Sequence, residues 1–307
     1  MQSLAPSFRL SALFGSLALS AFALPLHADT ITLEPEADTT IIQNSDNANG
    51  GSTGIFAGQT NVAGARRGLL RFDVARELPE GAIVTRATLQ MTVAQTTSDA
   101  ANFALHRLTG AWNEGVASGS GQGAPAGSGD TTWLYRVYSD APGQSIPWTN
   151  PGGDFVTTAS ATTLVAFSGT YTWASTAATV ADVQGWLDNP TTNNGWLLKA
   201  TSEIVVPTAK RFFSRESTPS NTRPQLIIEY TAGGPTCNDI DFNNDSSFFD
   251  PQDIDAFLST YSEGPCIPDT QTCDSIDFNN DSSVFDPCDI DSFLLVFSEG
   301  PCTLCGV

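Results

Sequence analysis

Leu89-Gln90-Met91-Thr92-Val93 and Phe103-Ala104-Leu105-His106-Arg107-Leu108 decide the fold class. In both, apolar and polar residues alternate, which turns one face of an extended strand to a core and the other to solvent. Leu70-Arg71-Phe72-Asp73-Val74 repeats the pattern. Working outward, residues 30–33, 68–74, 87–93, 103–108, 163–167, 195–200 and 225–230 read as strands separated by turn residues. One stretch, 180–187, reads as helix and stops at Asn189-Pro190. Residues 117–129 are Gly/Ser-rich and read as a mobile loop. Many short strands and a single helix predict a mainly β chain, an antiparallel β-sandwich of jelly-roll-like form spanning 29–231. That length buries a core without disulfides, and this region contains no cysteine.

Beyond a short linker at 232–236 the pattern changes. Residues 237–266 read CNDIDFNNDSSFFDPQDIDAFLSTYSEGPC, and residues 273–302 read CDSIDFNNDSSVFDPCDIDSFLLVFSEGPC. The two copies agree at 22 of 30 positions with an offset of 36, so the tail, 237–307, is a duplicated module. In the first copy Asp241, Asn243 and Asp245 take positions 1, 3 and 5 of an EF-type loop, with the Ser247 carbonyl at position 7 and Asp253 closing it. The second copy offers Asp277, Asn279, Asp281, Ser283 and Asp289. Such a set of hard oxygens points to calcium. Two features depart from the ordinary loop. Ser246 and Ser282 stand at position 6, where a left-handed backbone favours glycine, and the closing Asp falls one residue late, so Asp250 and Asp286 are alternative ligands. Each loop runs into a helix with an apolar stripe: Ile254, Phe257, Leu258 and Tyr261, then Ile290, Phe293, Leu294 and Phe297. One stripe per helix predicts that the copies pack on each other.

The chain opens with Arg9 as the sole charge before an apolar stretch at 10–26, then Leu26-His27-Ala28. This reads as a signal peptide over 1–28, cleaved to give a secreted protein, with no transmembrane segment in the mature chain. All six cysteines lie in the tail, where an extracellular setting lets disulfides persist. Six cysteines allow fifteen pairings. Repeat symmetry favours Cys237–Cys266 and Cys273–Cys302, leaving Cys288 and Cys305. The competing zinc reading is poor, because Cys302-x-x-Cys305 has no matching pair and no nearby histidine. The net charge is −20, and the tail holds 15 of the 33 acids with no Lys or Arg. No basic face exists for phosphates, so a nucleic-acid partner is not expected.

Between these poles an ordered set of segments resembles DNRLRE-type domains. It comprises Ala37-Asp38-Thr39-Thr40-Ile41, Arg67-Gly68-Leu69-Leu70-Arg71-Phe72-Asp73, Trp112-Asn113-Glu114, Trp148 with Pro151-Gly152-Gly153-Asp154-Phe155, Asn194-Gly195-Trp196-Leu197-Leu198, Phe212-Phe213-Ser214-Arg215-Glu216 and Arg223-Pro224-Gln225-Leu226. The resemblance implies a β-sandwich module of secreted proteins, some of which bind acidic polysaccharides. The tail is similar to GC-type dockerins, which implies an EF-hand-like loop–helix pair and a cohesin-like or surface-anchoring partner.

Catalysis finds little support. His106 is the sole histidine of the mature chain, and no nucleophile elbow is present. A carboxylate pair drawn from Glu114, Asp154, Glu203 and Glu216 stays open as a glycosidase reading. Glycan-binding candidates are Trp112 and Trp148 beside polar loops and the cations Arg67 with its neighbour Arg66, Arg71, Lys210, Arg211 and Arg215. These cations form either one clamp for carboxylates or sulfates, or scattered solubilising charge. The expectation is a non-catalytic protein that binds extracellular polysaccharide and is tethered by a calcium-binding tail. The rival is a structural spacer, which buried tryptophans and dispersed arginines would favour.

Overall fold

The computed structural model describes residues 28–60, 64–79, 81–96, 98–204, 207–231, 237–266, 272–280, 283–298 and 302. The signal-peptide reading and the linker at 232–236 therefore lie outside the described residues, as do Asp281 and Cys305.

The chain begins with β1 (Ala28–Leu33), β2 (Ala37–Ile42), β3 (Asn47–Ala48), β4 (Gly54–Gln59) and β5 (Ala65–Arg71). A single helical turn, α1 (Val74–Glu77), leads to the long β6 (Ile83–Thr96) and β7 (Ala101–Arg107). Short strands β8 (Ala124–Pro125), β9 (Tyr135–Val137) and β10 (Ile146–Pro147) punctuate a long irregular stretch. Then come β11 (Ala161–Val165), β12 (Gly169–Trp173), α2 (Ala177–Asp188), β13 (Trp196–Ala200), β14 (Lys210–Phe213) and β15 (Gln225–Thr231). The tail contributes α3 (Pro251–Tyr261) and α4 (Pro287–Phe297).

The fold is mainly antiparallel β. One eleven-stranded sheet runs β1-β15-β6-β14-β4-β5-β13-β7-β11, with β12 added on β6 and β2 on β5. It curls into a half-barrel, and the turning point is β4. Gly54 to Ala57 pair with β14, whereas Gly58 and Gln59 pair with β5. Gly58 has φ +103°, and a Cβ there would lie 2.7 Å from the Thr208 carbonyl, so the bend requires glycine. The first and last strands close on each other, with Ala28 opposite Thr231.

Curling brings both halves onto one core. Leu89, Met91 and Val93 of β6 and Phe212 of β14 share it with Leu70 of β5, Phe103 and Leu105 of β7, and Trp196 of β13. The helix α2 covers one side through Val183, Trp186 and Leu187. Its start is set by a reciprocal cap: Thr176 Oγ1 accepts the Thr179 N–H, and Thr179 Oγ1 accepts the Thr176 N–H. A second core lies on the opposite face of β2, β5 and β13, where Ile41, Leu69 and Leu197 meet Trp112, Trp133 and Trp148 from the long loops. Both faces of β5 and β13 are thus covered, which is why Leu69-Leu70 and Trp196-Leu197-Leu198 are continuously apolar.

The 117–129 stretch is pinned rather than loose. Asn49 Oδ1 accepts the Gly119 N–H at 2.9 Å, Arg66 Nε donates to the Gly121 carbonyl at 2.8 Å, and β8 pairs with β3. No helix among the described residues is long and apolar enough to cross a membrane.

In the tail, α3 and α4 pack as predicted, with the Phe257 and Phe293 rings stacked at 4.2 Å and nearly parallel. The buried stripe is rotated from the predicted one. Ala256 joins Phe257 in the core, while Leu258 and Leu294 are exposed. The disulfide reading needs correction. Cys237 bonds Cys302 and Cys266 bonds Cys273, so the bridges run between the repeats and not within them. The physical reason is the face-to-face packing of the two copies, which brings the ends of the module together. Cys288 is disulfide-bonded as well.

Candidate functional site

The candidate cations do not form one patch, because strand geometry distributes them over three environments. Arg67 and Arg71 project from the outer face of β5 into the loop-covered core. Arg67 holds Glu203 through two bonds, Nε to Oε1 at 2.9 Å and Nη2 to Oε2 at 2.7 Å, and donates to the Gly152 carbonyl. Its guanidinium lies 4.6 Å from the Trp133 ring. Arg71 pairs with Glu36, donates to the Trp112 carbonyl and sits 5.2 Å from the Trp112 ring. Both arginines therefore stitch loops to the sheet.

The tryptophans are interior. Trp112 is 2% exposed and Trp148 is 4% exposed, and their indole N–H groups donate to the carbonyls of Asn194 and Thr132. Neither offers a ring face to a ligand from solvent. All six tryptophans are buried, because the loops that carry three of them fold back over the sheet.

Arg215 occupies the second environment. Its Nη1 reaches Glu114 Oε2 at 2.7 Å and Glu216 Oε1 at 3.0 Å, and its backbone N–H donates to Asp38 Oδ2. Asp38 returns its own N–H to Glu114 Oε1. Burial pushes the Asp38 carboxyl well above the usual range, with Glu216 and Glu114 adding to the effect against the Arg215 N–H and charge. Burial also raises Glu114. Two carboxylates share the Arg215 guanidinium and the third, Asp38, takes its backbone N–H, and oxygens of all three lie within 4.8 Å of one another. Among the described residues this is the one such trio tight enough for an ion. Of the four carboxylates weighed for glycoside hydrolysis, Glu114 and Glu216 belong to this cluster and Glu203 is held by Arg67. Asp154 accepts the N–H groups of Thr149 and Asn150, which outweigh its partial burial and lower its pKa. His106 is buried, with Nδ1 2.9 Å from the Val156 carbonyl and its ring against Phe155. Burial lowers its pKa, which favours the neutral imidazole.

Lys210 and Arg211 open β14 and occupy the third environment. Antiparallel register places Arg211 beside Phe56 of β4 on one side and Gln95 of β6 on the other. The three side chains line a concavity of about 320 Å³, walled by the loop at Ser120 to Gln122. Lys210 and Arg66 also line it, and no carboxylate does. Sequence reasoning singled out Arg66, Lys210 and Arg211 but missed Phe56 and Gln95. The signal for the last group is register across three strands, which the sequence does not print.

In the tail, the first loop wraps around its acidic side chains. Asp241 accepts the N–H groups of Asp245 and Ser246 at 2.9 and 2.8 Å, and Asp245 accepts that of Ser247. Ser246 has φ +71°, the left-handed conformation anticipated at position 6. Asp250 and Asp286 serve as helix N-caps. Asp253 and Asp289 are wholly buried, and burial raises both pKa values. Asp253 Oδ1 is buried without a hydrogen-bond partner. An orphaned carboxylate oxygen beside Asp241 and Asn243 is a donor set that fits a hard cation. The second loop matches the first in burial, with Asn279 and Asp289 buried as Asn243 and Asp253 are and Asp277 and Ser283 at the positions of Asp241 and Ser247, but Asp289 Oδ1 accepts the Phe278 N–H at 2.8 Å where Asp253 Oδ1 is orphaned.

No family model and no curated protein matches the chain.

Proposed function

We propose that the chain is a secreted, non-catalytic binding protein of two modules. The curled β domain is a jelly-roll-like β-sandwich that holds acidic extracellular polysaccharide. The tail is an EF-hand-like, dockerin-type module, stabilised by calcium, that tethers the chain to a cohesin-like receptor or the cell surface. The observation that carries the polysaccharide reading is the concavity where Arg66, Lys210 and Arg211 converge with no carboxylate in the lining. Arginine matches carboxylates and sulfates by geometry as well as charge. Calcium would be held by Asp241, Asn243, Asp245, the Ser247 carbonyl and Asp253, and by their counterparts in the second copy, including Asp277, Asn279, Asp281, Ser283 and Asp289. It would supply the positive charge that the buried aspartates lack.

A second reading is favoured by a specific observation. Trp112 and Trp148 are buried, and Arg67, Arg71 and Arg215 are tied to Glu203, Glu36 and Glu114. Those five residues then hold the domain together, and a structural spacer needs nothing more. Affinity electrophoresis of the full chain in gels of alginate, pectate, sulfated and neutral polymers separates the two. Retardation by acidic polymers alone supports binding, whereas equal mobility in every gel sinks it in favour of the spacer. Release of shortened chains from the same polymers would make the protein an enzyme.

A further inference from the structure

Two buried cations of the β domain lack a counter-ion. Arg66 is 2% exposed, and its donors end on neutral oxygens: the carbonyls of Gly121, Gly64 and Ala65, and Gln122 Oε1. Lys210 is 1% exposed, and its ammonium is held by Thr96 Oγ1, Ser98 Oγ and the carbonyls of Ser98 and Asp99. Neither forms a salt bridge among the described residues, and the acid whose charge Lys210 feels, Asp99, is exposed. Burying a cation among neutral dipoles is costly unless a counter-charge is near. Burial lowers both pKa values, which records that cost. Every nitrogen of the two head groups is already hydrogen-bonded to the protein, so they act on the adjoining cavity through their field.

At the mouth stands Arg211. Among the described residues its side-chain hydrogen bonds go to Thr53 alone, through Nη2 to the carbonyl and to Oγ1, and it has no carboxylate partner there. Thr60 lines the same cavity, and its Oγ1 is buried without a partner. Exposed Gln95 adds an amide on the next strand. Half-buried Phe56 forms the apolar floor.

We infer that this cavity is an oxyanion subsite that takes one carboxylate or sulfate ester, contacted by Arg211 and Gln95 and attracted by buried Arg66 and Lys210. This deepens the polysaccharide reading and rests on it for the parent polymer, while the subsite itself requires only the anionic group. Phe56 suits the apolar face of the sugar ring that bears that group.

Calorimetric titration of the full chain with galacturonate, sulfate and glucose tests the assignment. Galacturonate, sulfate or both saturate one site, glucose does not, and added chloride weakens the binding. Saturation by galacturonate alone identifies a uronate ligand, and saturation by sulfate alone a sulfate ester. Arg211→Gln removes the contacting cation and Gln95→Glu places a carboxylate in the cavity. Each weakens anion binding by about tenfold or more with the melting temperature kept. Anion binding that ignores both substitutions in folded protein, or no anion binding at all, overturns the subsite. Acidic polymer still retained by both variants then leaves the polysaccharide reading intact at another face. Anion binding that both variants lose, together with no polymer retained by the unsubstituted chain, keeps the subsite and removes the polysaccharide.

Discussion

Asp38 stands in the interior beside Glu114, Glu216 and the one cation that serves all three, Arg215. Its raised pKa has a definite sign for stability. The stabilising protonated form is fully present below the unfolded value, about 3.9, and its contribution is lost as pH rises through the folded value. Glu114 is raised in the same direction. The β domain should therefore lose stability as pH climbs from about 4 toward neutrality. Asp38→Asn keeps an acceptor for the Arg215 N–H and should flatten that slope. Tryptophan fluorescence melts across pH read this domain selectively, because all six tryptophans lie within it. A variant with the same slope as the parent would show that Asp38 does not titrate there. Arg215→Gln leaves three carboxylates without their cation. Since the Arg215 side chain is a third exposed, we expect a loss of about 2–3 kcal/mol, at the low end for a broken buried pair. Urea unfolding measures it, and a loss below about 0.5 kcal/mol would make the cluster a surface feature.

Seven strands and α2 were legible because alternation and a Pro stop are local signals, and β6, β7 and β15 answer to them directly. Lys210-Arg211-Phe212-Phe213 escaped because its inward residues are a lysine and a phenylalanine, a pattern that reads as polar until the acceptors around Lys210 are in place. The strand β2 escaped because it is buried on both faces with Asp and Thr in its middle. The loop tryptophans were illegible for a tertiary reason: their exposure depends on loops returning over Leu69 and Leu197. In the tail the left-handed turn at Ser246 was readable by position, whereas the buried stripe shifted because the copies meet at Phe257 and Phe293. Phe257→Ala should cost about 3–4 kcal/mol and abolish the tail's calorimetric transition while leaving that of the β domain. An unmoved tail transition would place the helix contact elsewhere. Calcium should raise the tail transition and a chelator should reverse it. Because Asp253 must ionise to bind, the effect should fade as pH falls through its raised pKa. Asp253→Asn should remove most of the shift, and calcium that stabilises this variant as well as the parent would exclude Asp253 as a ligand.

Across the whole molecule, cysteine is confined to one module and tryptophan to the other. Reduction should therefore act on the tail alone. The Cys237–Cys302 bridge spans a sequence separation of 65, a loop worth about 4 kcal/mol on the chain-entropy account. Dithiothreitol should lower the tail transition strongly while the tryptophan melt of the β domain stays within error, and a coincident shift of both would mean that the modules unfold as one. Repeat symmetry suggested two self-contained rings, and it misled because a bridge is chosen by which ends approach in space. The observed bridge also fixes the route of mechanical tension. A pull between the β domain and the chain beyond Cys302 enters the tail at Cys237 and crosses the sulfur–sulfur bond at once. The helices α3 and α4 then hang as a slack side branch, so drag on that segment cannot unwind them until the bond is cut.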